Sequence, residues 1–577
     1  MKRFILGVLH TVVGVLLAGI LCFLLLLAVI AVSSGDQKPD IARHTWLSLT
    51  ITGEIPEYAP PGNAIQELLG EEPETLTRLL DNLEKAAADA RIEGVVIDLG
   101  RGSNLGLAKI EELRAAIRRV RDAGKPVYAW AEMYDRSSLL LAAACDSVLL
   151  APGGEVTVTG LASPAEHIRG TLDKLGITPH ISRIKDYKSA AEMVTRRDMS
   201  PATREMKQWL LDEVWDVAVG ELCRDRAIAP EKMPELMSHA LFQPEEAQAA
   251  HLVDALVYRE DLLDSLKLPD SKRWRHVSSA RYARVPREDV LGKGKDVIAV
   301  VHAQGMIAGR ENGINPLFGV TMGSQSVIQE LERARRDKRV KAVVFRIDSP
   351  GGDALTSDLI ARSVERLADR KPVVVSMADV AASGGYMIAY RGTYLMADSL
   401  TYTGSIGSIS GLFDMSGFYG KIGYDLDFVT KGPMALLGTP TRAPTEAEWN
   451  RWVDNHQKSF ERWLADVAHR RGMSLEQARA LAEGRVWTGR QAVANGLIDG
   501  IGDLHAAIAK ARELAAIAPE AQVTVRHLPR PKGLLEMVFE HKNPVRAAVN
   551  WLLYRDARAE WRRTTELLRA GAVAPVP

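Results

Sequence analysis

Cysteine is almost missing from this chain: Cys22, Cys145 and Cys223 are the three in 577 residues. Three cannot build a disulfide framework, nor a closed zinc site unaided. An excess of charge is missing too. Lys+Arg and Asp+Glu both number 73, so no overall basic field exists to hold nucleic acid. Histidine is scarce, 13 in all, which narrows the choice of general bases. What is present is core-forming material. A hydrophobic share of 46% with 25% charged is a globular balance that excludes a mainly disordered chain, a collagen or a small disulfide scaffold. The length suggests roughly two to four domains.

Lys2 and Arg3 precede the run Phe4–Val32, which carries no charged residue. A membrane core needs ~20 apolar residues, and the apolar part of a cleavable signal peptide only ~7–15. Residues 1–35 therefore read as a cytoplasmic start and an uncleaved single-span anchor, although Ala31-Val32-Ser33 offers small residues for cleavage. A basic start stays in the cytoplasm. The bulk after Asp36 is then expected on the far side, the periplasm if the source is a bacterium, so that the bacterial inner membrane is the expected location.

Beyond the anchor, strand and helix patterns alternate twice. In the second half, strands are expected at Asp296–Ile307, Ala342–Ile347, Val373–Met377 and Tyr394–Ala397. Helices are expected at Ser324–Arg336 (Ser324 as a possible cap), Ala354–Ala368 and Tyr386–Arg391. The first half gives strands at Trp46–Ile51, Gly94–Leu99, Val127–Ala131 and Ser147–Leu150, with helices at Glu74–Asp89 and Leu107–Asp122. Such alternation implies an α/β fold with a largely parallel sheet in each half. Lys125-Pro126-Val127 answers Lys371-Pro372-Val373 at an offset of 371 − 125 = 246, and Ala151 answers Ala397 at the same offset. Matches in order mark an internal duplication, with domains at about 40–290 and 291–525. The polar stretch Lys267–Lys295 serves as linker. Residues 526–577 have no counterpart and read as a basic amphipathic tail, packed on the domain or lying on a membrane surface.

The halves differ where chemistry would sit. The strand-end loops of the second read Ser349-Pro350-Gly351-Gly352, Ser383-Gly384-Gly385 and Thr403-Gly404-Ser405-Ile406-Gly407. Glycine lets backbone approach a ligand closely and leaves N–H groups free. The first half has Arg101-Gly102-Ser103-Asn104, Ser137-Ser138-Leu139 and Thr159-Gly160-Leu161 instead. An oxyanion hole, if there is one, belongs to the second half. Ser383 sits between a strand and a short helix, like a relaxed nucleophile elbow with Ala381 at the first glycine position. An N-cap role is the ordinary alternative, and Ser405 and Ser408 are further eligible serines. No Ser-His-Asp set emerges around these loops: His302 lies in the opening strand, and Asp348, Asp353 and Asp379 lack a histidine partner in sequence. A neutral lysine can replace histidine, since burial lowers a lysine pKa by up to several units. Lys188 and Lys185, in Lys185-Asp186-Tyr187-Lys188-Ser189-Ala190, are equally eligible, whereas the aligned Gly432-Pro433-Met434-Ala435 offers no lysine.

These motifs, together with Arg197-Asp198-Met199-Ser200-Pro201, Val486-Trp487-Thr488-Gly489 and Gly496-Leu497-Ile498-Asp499, resemble the long form of the signal peptide peptidase A family, membrane-anchored bacterial serine proteases. The resemblance spans about residues 40–515. It implies a ClpP/crotonase-like fold in each half and a Ser/Lys dyad. Ser383 would be the nucleophile, and Lys188, matching the family's Tyr-Lys-Ser-Ala stretch, the base. The N–H groups of Gly352 and Gly384 are the candidate oxyanion hole, and Gly351, Gly404 and Ser405 the candidate substrate contacts. No cofactor and no metal is implied. Expected partners are released signal peptides and other unfolded apolar peptides, the membrane through residues 4–32, and further copies of the chain. The family favours an oligomeric ring, a homotetramer, with each dyad completed by a neighbour. Ser137, at 383 − 246 = 137, is the expected dispensable counterpart of Ser383. Two other classes compete. A crotonase-like acyl-CoA enzyme would use the same oxyanion hole on a thioester, and a non-catalytic membrane scaffold would have lost both sites. A periplasmic location disfavours the first and the retained glycine loops disfavour the second.

Overall fold

The runs of β-branched residues bounded by glycine and proline become two parallel-rich sheets, one from each half of the chain. The computed structural model describes residues 38–58, 74–267, 274–315 and 319–530, with positions 14 and 18. Those two positions apart, the candidate anchor at 4–32 lies outside the described residues, as does the tail beyond 530. Among the described residues no helix is long and apolar enough to cross a membrane.

The first half supplies β1 (Thr45–Thr50), α1 (Leu76–Ala88), β2 (Ile92–Asp98), α2 (Leu107–Asp122), β3 (Val127–Tyr134), α3 (Arg136–Ala142) and β4 (Ser147–Thr157). Then come β5 (Thr178–Arg183), α4 (Pro201–Val214) and β6 (His276–Ser278). The order across its sheet is β4-β3-β2-β1-β6, with the short strand Leu241–Phe242 on the outer side of β4. The second half supplies β7 (Asp296–Gln304), α5 (Ser324–Arg336), β8 (Val340–Ser349), α6 (Ala354–Ala368), β9 (Val373–Ala382), α7 (Gly384–Ala389) and β10 (Tyr394–Ala397). It ends with β11 (Tyr402–Gly404), β12 (Ile409–Asp414), α8 (Glu446–Arg470), β13 (Val486–Thr488) and β14 (Val523–Leu528). Its sheet runs β13-β11-β9-β8-β7-β14, with β10 also paired to β9. Alternate residues of β7 show why the strands read as unbroken apolar runs. Val297, Ala299 and Val301 face one core, Ile298 and Val300 the other, as a sheet covered on both faces requires.

Three expectations change. The stretch 267–295 is more than a linker, because Val277, Tyr282 and Val285 are buried in the first core and β6 pairs with β1. Arg526–Leu528 belongs to the second sheet rather than to a tail, since β14 runs parallel to β7 with Arg526 opposite Ala299. Ser324 does not cap α5. Gly323 holds that position, and the Ser324 hydroxyl donates instead to the Gly309 carbonyl at 3.4 Å.

Two features tie the halves together. β5 of the first half pairs antiparallel with β12 of the second, Arg183 opposite Ile409 through Thr178 opposite Asp414. At the core of the junction, Arg346 on β8 is buried and meets Glu57 at 2.7 Å and Glu112 of α2 at 2.6 Å. A buried guanidinium stripped of water needs such partners. The same burial raises the Glu112 carboxyl to about 7, with Glu57 nearby adding to the rise.

Candidate active site

Ser383 stands where β9 gives way to α7. Its φ of 56° and ψ of −117° place a non-glycine residue in a sparsely populated region, as a strained strand-to-helix turn does. The strain is held by neighbours. The Ser383 N–H donates to the Gly404 carbonyl and its carbonyl accepts from Met387 N–H, both at 2.9 Å. β9 also runs farther than its apolar run suggests, to Ala382, because β11 continues the ladder with Thr403 opposite Ala381 and Gly404 opposite Ala382.

Lys188 follows β5, and the β5–β12 ribbon carries it from the first half into the second. Backbone bonds seat the segment: Ile184 N–H donates to Ser408 O and Lys185 N–H to Glu483 O, each at 3.0 Å. Lys188 is buried, at 6% exposure for the residue. Its Nζ lies 2.9 Å from Ser383 Oγ, 2.8 Å from the Ser405 carbonyl oxygen and 2.8 Å from Ser405 Oγ. Among the described residues no carboxylate pairs with it. Burial alone therefore pushes its pKa down from 10.5 to about 7. Lys185, the other eligible lysine, is half exposed and ion-paired with Glu483 at 2.8 Å. The chain thus brings Ser383 and Lys188 together within one molecule. This corrects the expectation that a neighbouring copy completes the pair, and the reason is the intramolecular strand pairing just upstream of the lysine.

The glycine loops behave as backbone cradles. Gly352 has a φ of 151°, and a Cβ there would fall 2.1 Å from the Ile307 carbonyl oxygen. A Cβ on Gly384 would stand 3.0 Å from Gly352 N, so the two turns touch. Neither the Gly352 nor the Gly384 N–H has an acceptor among the described residues. The polar groups of the other three glycine-loop candidates are engaged inside the chain. Gly351 N–H donates to Ser349 Oγ at 3.1 Å and its carbonyl accepts from Ile307 N–H at 2.8 Å. The Gly404 carbonyl holds Ser383 N–H, and Ser405 holds Lys188. That lysine-orienting role of Ser405 is absent from the sequence reading, where nothing but proximity in the fold points to it.

Ser408 belongs to a separate Ser–His–Ser bridge, with a serine rather than a carboxylate on the far side of the ring. Its hydroxyl meets His456 Nε2 at 2.7 Å, while Ser182 meets Nδ1 of the same ring at 2.8 Å. His456, on α8, thereby pins β5 to the loop beside β12. His302 lies elsewhere, 2.9 Å from His527 across the β7–β14 pair. In the first half the N-cap position corresponding to Ser383 is Asp135, whose carboxylate accepts Ser138 N–H at 2.7 Å. Ser137 is the second residue of α3, because β3, counted from the matching Lys-Pro-Val start, ends two residues earlier than β9. Asn104, Leu105, Leu139, Leu140 and Val158 line a largely apolar cavity of about 410 Å³ at that place.

Comparison with known proteins follows the duplication. Two stretches, 119–272 and 365–518, match the model of Peptidase family S49. A chloroplastic serine protease SPPA of Arabidopsis thaliana is 33% identical over 80% of this chain and 69% of its own. Protease 4 of Haemophilus influenzae is 32% identical over 85% of this chain and 82% of its own. A ClpP1 mutant from Listeria monocytogenes aligns with 36% of this chain and 94% of its own at 14% identity, with a TM-score of 0.24, too slight a likeness to support an argument. On the paired matches and the coverage of these relatives, the chain belongs to peptidase family S49, as a serine protease of the long form in which the family domain occurs twice.

Proposed function

We propose that Ser383 is the nucleophile and Lys188 the general base of a Ser/Lys endopeptidase. The observation that carries this reading is the 2.9 Å approach to Ser383 Oγ by Nζ of the buried Lys188, which has no carboxylate partner among the described residues. Near neutral pH about half of such lysines are uncharged. The free amine accepts the Ser383 proton as Oγ attacks the peptide carbonyl carbon. The developing oxyanion takes hydrogen bonds from the Gly352 and Gly384 N–H groups, a kind of donor whose loss typically costs ~10²–10³ in rate. The ammonium of Lys188 then gives its proton to the leaving amine, and an acyl-enzyme on Ser383 remains. Water replaces the amine, Lys188 takes its proton, and collapse of the second tetrahedral species frees the acid and returns the proton to Ser383. Ser405 keeps Nζ aimed throughout.

The resemblance to the signal peptide peptidase A family extends the proposal. Each half is ClpP/crotonase-like, and the substrates are released signal peptides and other unfolded apolar peptides. The uncharged run 4–32 anchors the chain in the bacterial inner membrane with both domains in the periplasm, and the active form is a homotetramer. A fluorophosphonate probe followed by peptide mapping tests the core of this reading. The expected label is on Ser383 and is lost in Lys188→Met. A label on another serine overturns it.

A further inference from the structure

The duplicated turns that open α2 and α6 are capped in different ways. The N-cap of α6 is Asp353, whose own Oδ1 accepts Thr356 N–H at 2.8 Å. The N-cap of α2 is Gly106, which has no side chain to do this. There the space in front of the turn is filled. A Cβ on Gly106 would fall 2.1 Å from the Asp379 carboxylate, and Lys109 N–H donates to Asp379 Oδ1 at 3.2 Å. As Asp353 caps α6 from its own chain position, Asp379 of the second half thus caps α2 from across the junction.

That carboxylate belongs to a wider contact. Lys109 Nζ lies 3.2 Å from Asp379 Oδ2 and 3.0 Å from Asp348 Oδ2, and donates to the Ile55 carbonyl at 3.4 Å. Asp348 and Asp379 sit on neighbouring strands at an irregularity of the ladder. Ile347 pairs with Met377, and the next pair is Ser349 with Ala381, so Asp348 faces three residues of β9. Such a bulge re-aims the strand that carries it. Its loose N–H, on Val380, is taken up by Asp348 Oδ1 at 3.3 Å. Asp348 lies four residues before Gly352 and Asp379 four before Ser383. Burial works against the charge of Lys109, but Asp348, Asp379 and Glu57 outweigh it and hold the lysine protonated.

We propose that Lys109, Asp348 and Asp379 form a clamp across the bulge that sets the distance between the Gly352 turn and Ser383, with Lys109 a positioning residue supplied by the first half. The clamp rests on Ser383 being the nucleophile. It gives the first half a role in catalysis besides carrying Lys188: the opening turn of α2 grips the strand that presents the serine of its sister. Without Lys109 two carboxylates would face each other across the bulge, and the nucleophile would shift relative to the oxyanion donors.

The test uses the full-length enzyme and the variants Lys109→Met, Asp379→Asn and Lys109→Arg. Peptide hydrolysis, the rate of fluorophosphonate labelling and thermal unfolding would be measured for each. Lys109→Met and Asp379→Asn should lose ~10- to 100-fold in kcat and in labelling rate, the scale of a misplaced reacting group, with KM changed by less than about threefold. Lys109→Arg should recover part of the loss. The midpoint of the pH–rate profile should stay where Lys188 sets it, since the base is untouched. Folded variants with wild-type kcat, a loss confined to KM, or a displaced midpoint would each overturn the clamp. Absence of a thermal transition in both Lys109→Met and Asp379→Asn would overturn it as well, by assigning the cluster to folding. A wild-type label on a serine other than Ser383 removes the reading beneath the proposal. Labelling at Ser383 with variants as fast as wild type removes the clamp alone.

Discussion

Lys188 and Ser383 are 195 positions apart in sequence, yet their side chains meet at 2.9 Å inside one chain. The join depends on the six-residue ribbon of β5 on β12, which links the base to the half that holds the serine. The duplication therefore divides labour within a molecule: one half lends a buried amine, the other keeps the glycine turns.

Replacing Ser383 with alanine should abolish hydrolysis while leaving thermal unfolding within a few degrees of wild type, because the change removes one oxygen from a half-buried turn. Ser137→Ala should hydrolyse at the wild-type rate. Ser137 lies inside α3 beside the apolar cavity, without a base. Activity assays on both purified variants decide this, and substantial turnover by Ser383→Ala would remove it as nucleophile.

The charge of Lys188 makes a paired prediction. Activity should rise as pH passes about 7, where burial has placed the pKa. Lys188→Arg should be dead at all working pH values, since arginine keeps its proton. Stability depends on the same proton. Between about 7 and the ordinary 10.5, the unfolded chain holds a proton on this lysine that the folded chain lacks, so stability rises with pH across that window. Below about 7 both states are protonated and the full burial cost remains. Lys188→Met should thus unfold at a higher temperature than wild type near pH 6, with the gap closing toward pH 10. A constant gap would mean that the lysine titrates normally.

Co-expression of Ser383→Ala with Lys188→Ala checks the intramolecular pair. Each chain then lacks one member, and the β5–β12 ribbon returns every lysine to its own serine. Mixed assemblies, verified by pull-down with two tags, should stay inactive. Recovery of activity would show that β5 is exchanged between chains.

The sequence made the scaffold legible and the site only partly so. Helices Ser324–Arg336 and Ala354–Ala368 appear with the expected ends, because glycine, proline and aspartate punctuate strongly periodic runs. Ser383 was visible through its glycine turn. Lys188 was indistinguishable from Lys185 on local grounds. Ser405 and Gly484, which lie against it, are linked to position 188 by no local pattern, and only the family resemblance separated the two. Lys109 was hidden in the same way: on α2 it reads as a lysine of an ordinary amphipathic helix, and its carboxylates come from strands some 240 to 270 residues later. β14 was missed because Val523–Leu528 is short and includes Arg526 and His527. Arg526 finds Asp337 at 2.8 Å and His527 finds His302, partners that become available only when the strand docks.

Gly484 supplies the last prediction. It has a φ of 89°, and a Cβ there would stand 2.4 Å from Lys188 N and 2.5 Å from both Lys188 Cα and Cβ. The contact is with backbone, so no side-chain rotation relieves it. Gly484 N–H also donates to the Ile406 carbonyl at 2.9 Å, next to the Ser405 oxygens that aim Nζ. Gly484→Ala must push the lysine segment away from Ser405 and Ser383 while leaving both catalytic side chains present. A displacement near 1 Å in a reacting group costs up to ~10²-fold in rate, so kcat should fall on that scale. The fold should persist, because the strain falls on a loop outside both sheets. Raising the pH should recover little of the loss, since a displaced amine is no better a base when neutral. Wild-type kcat in Gly484→Ala would show that the 483–485 loop yields freely, and that the approach of Lys188 to Ser383 is set by the β5–β12 ribbon alone.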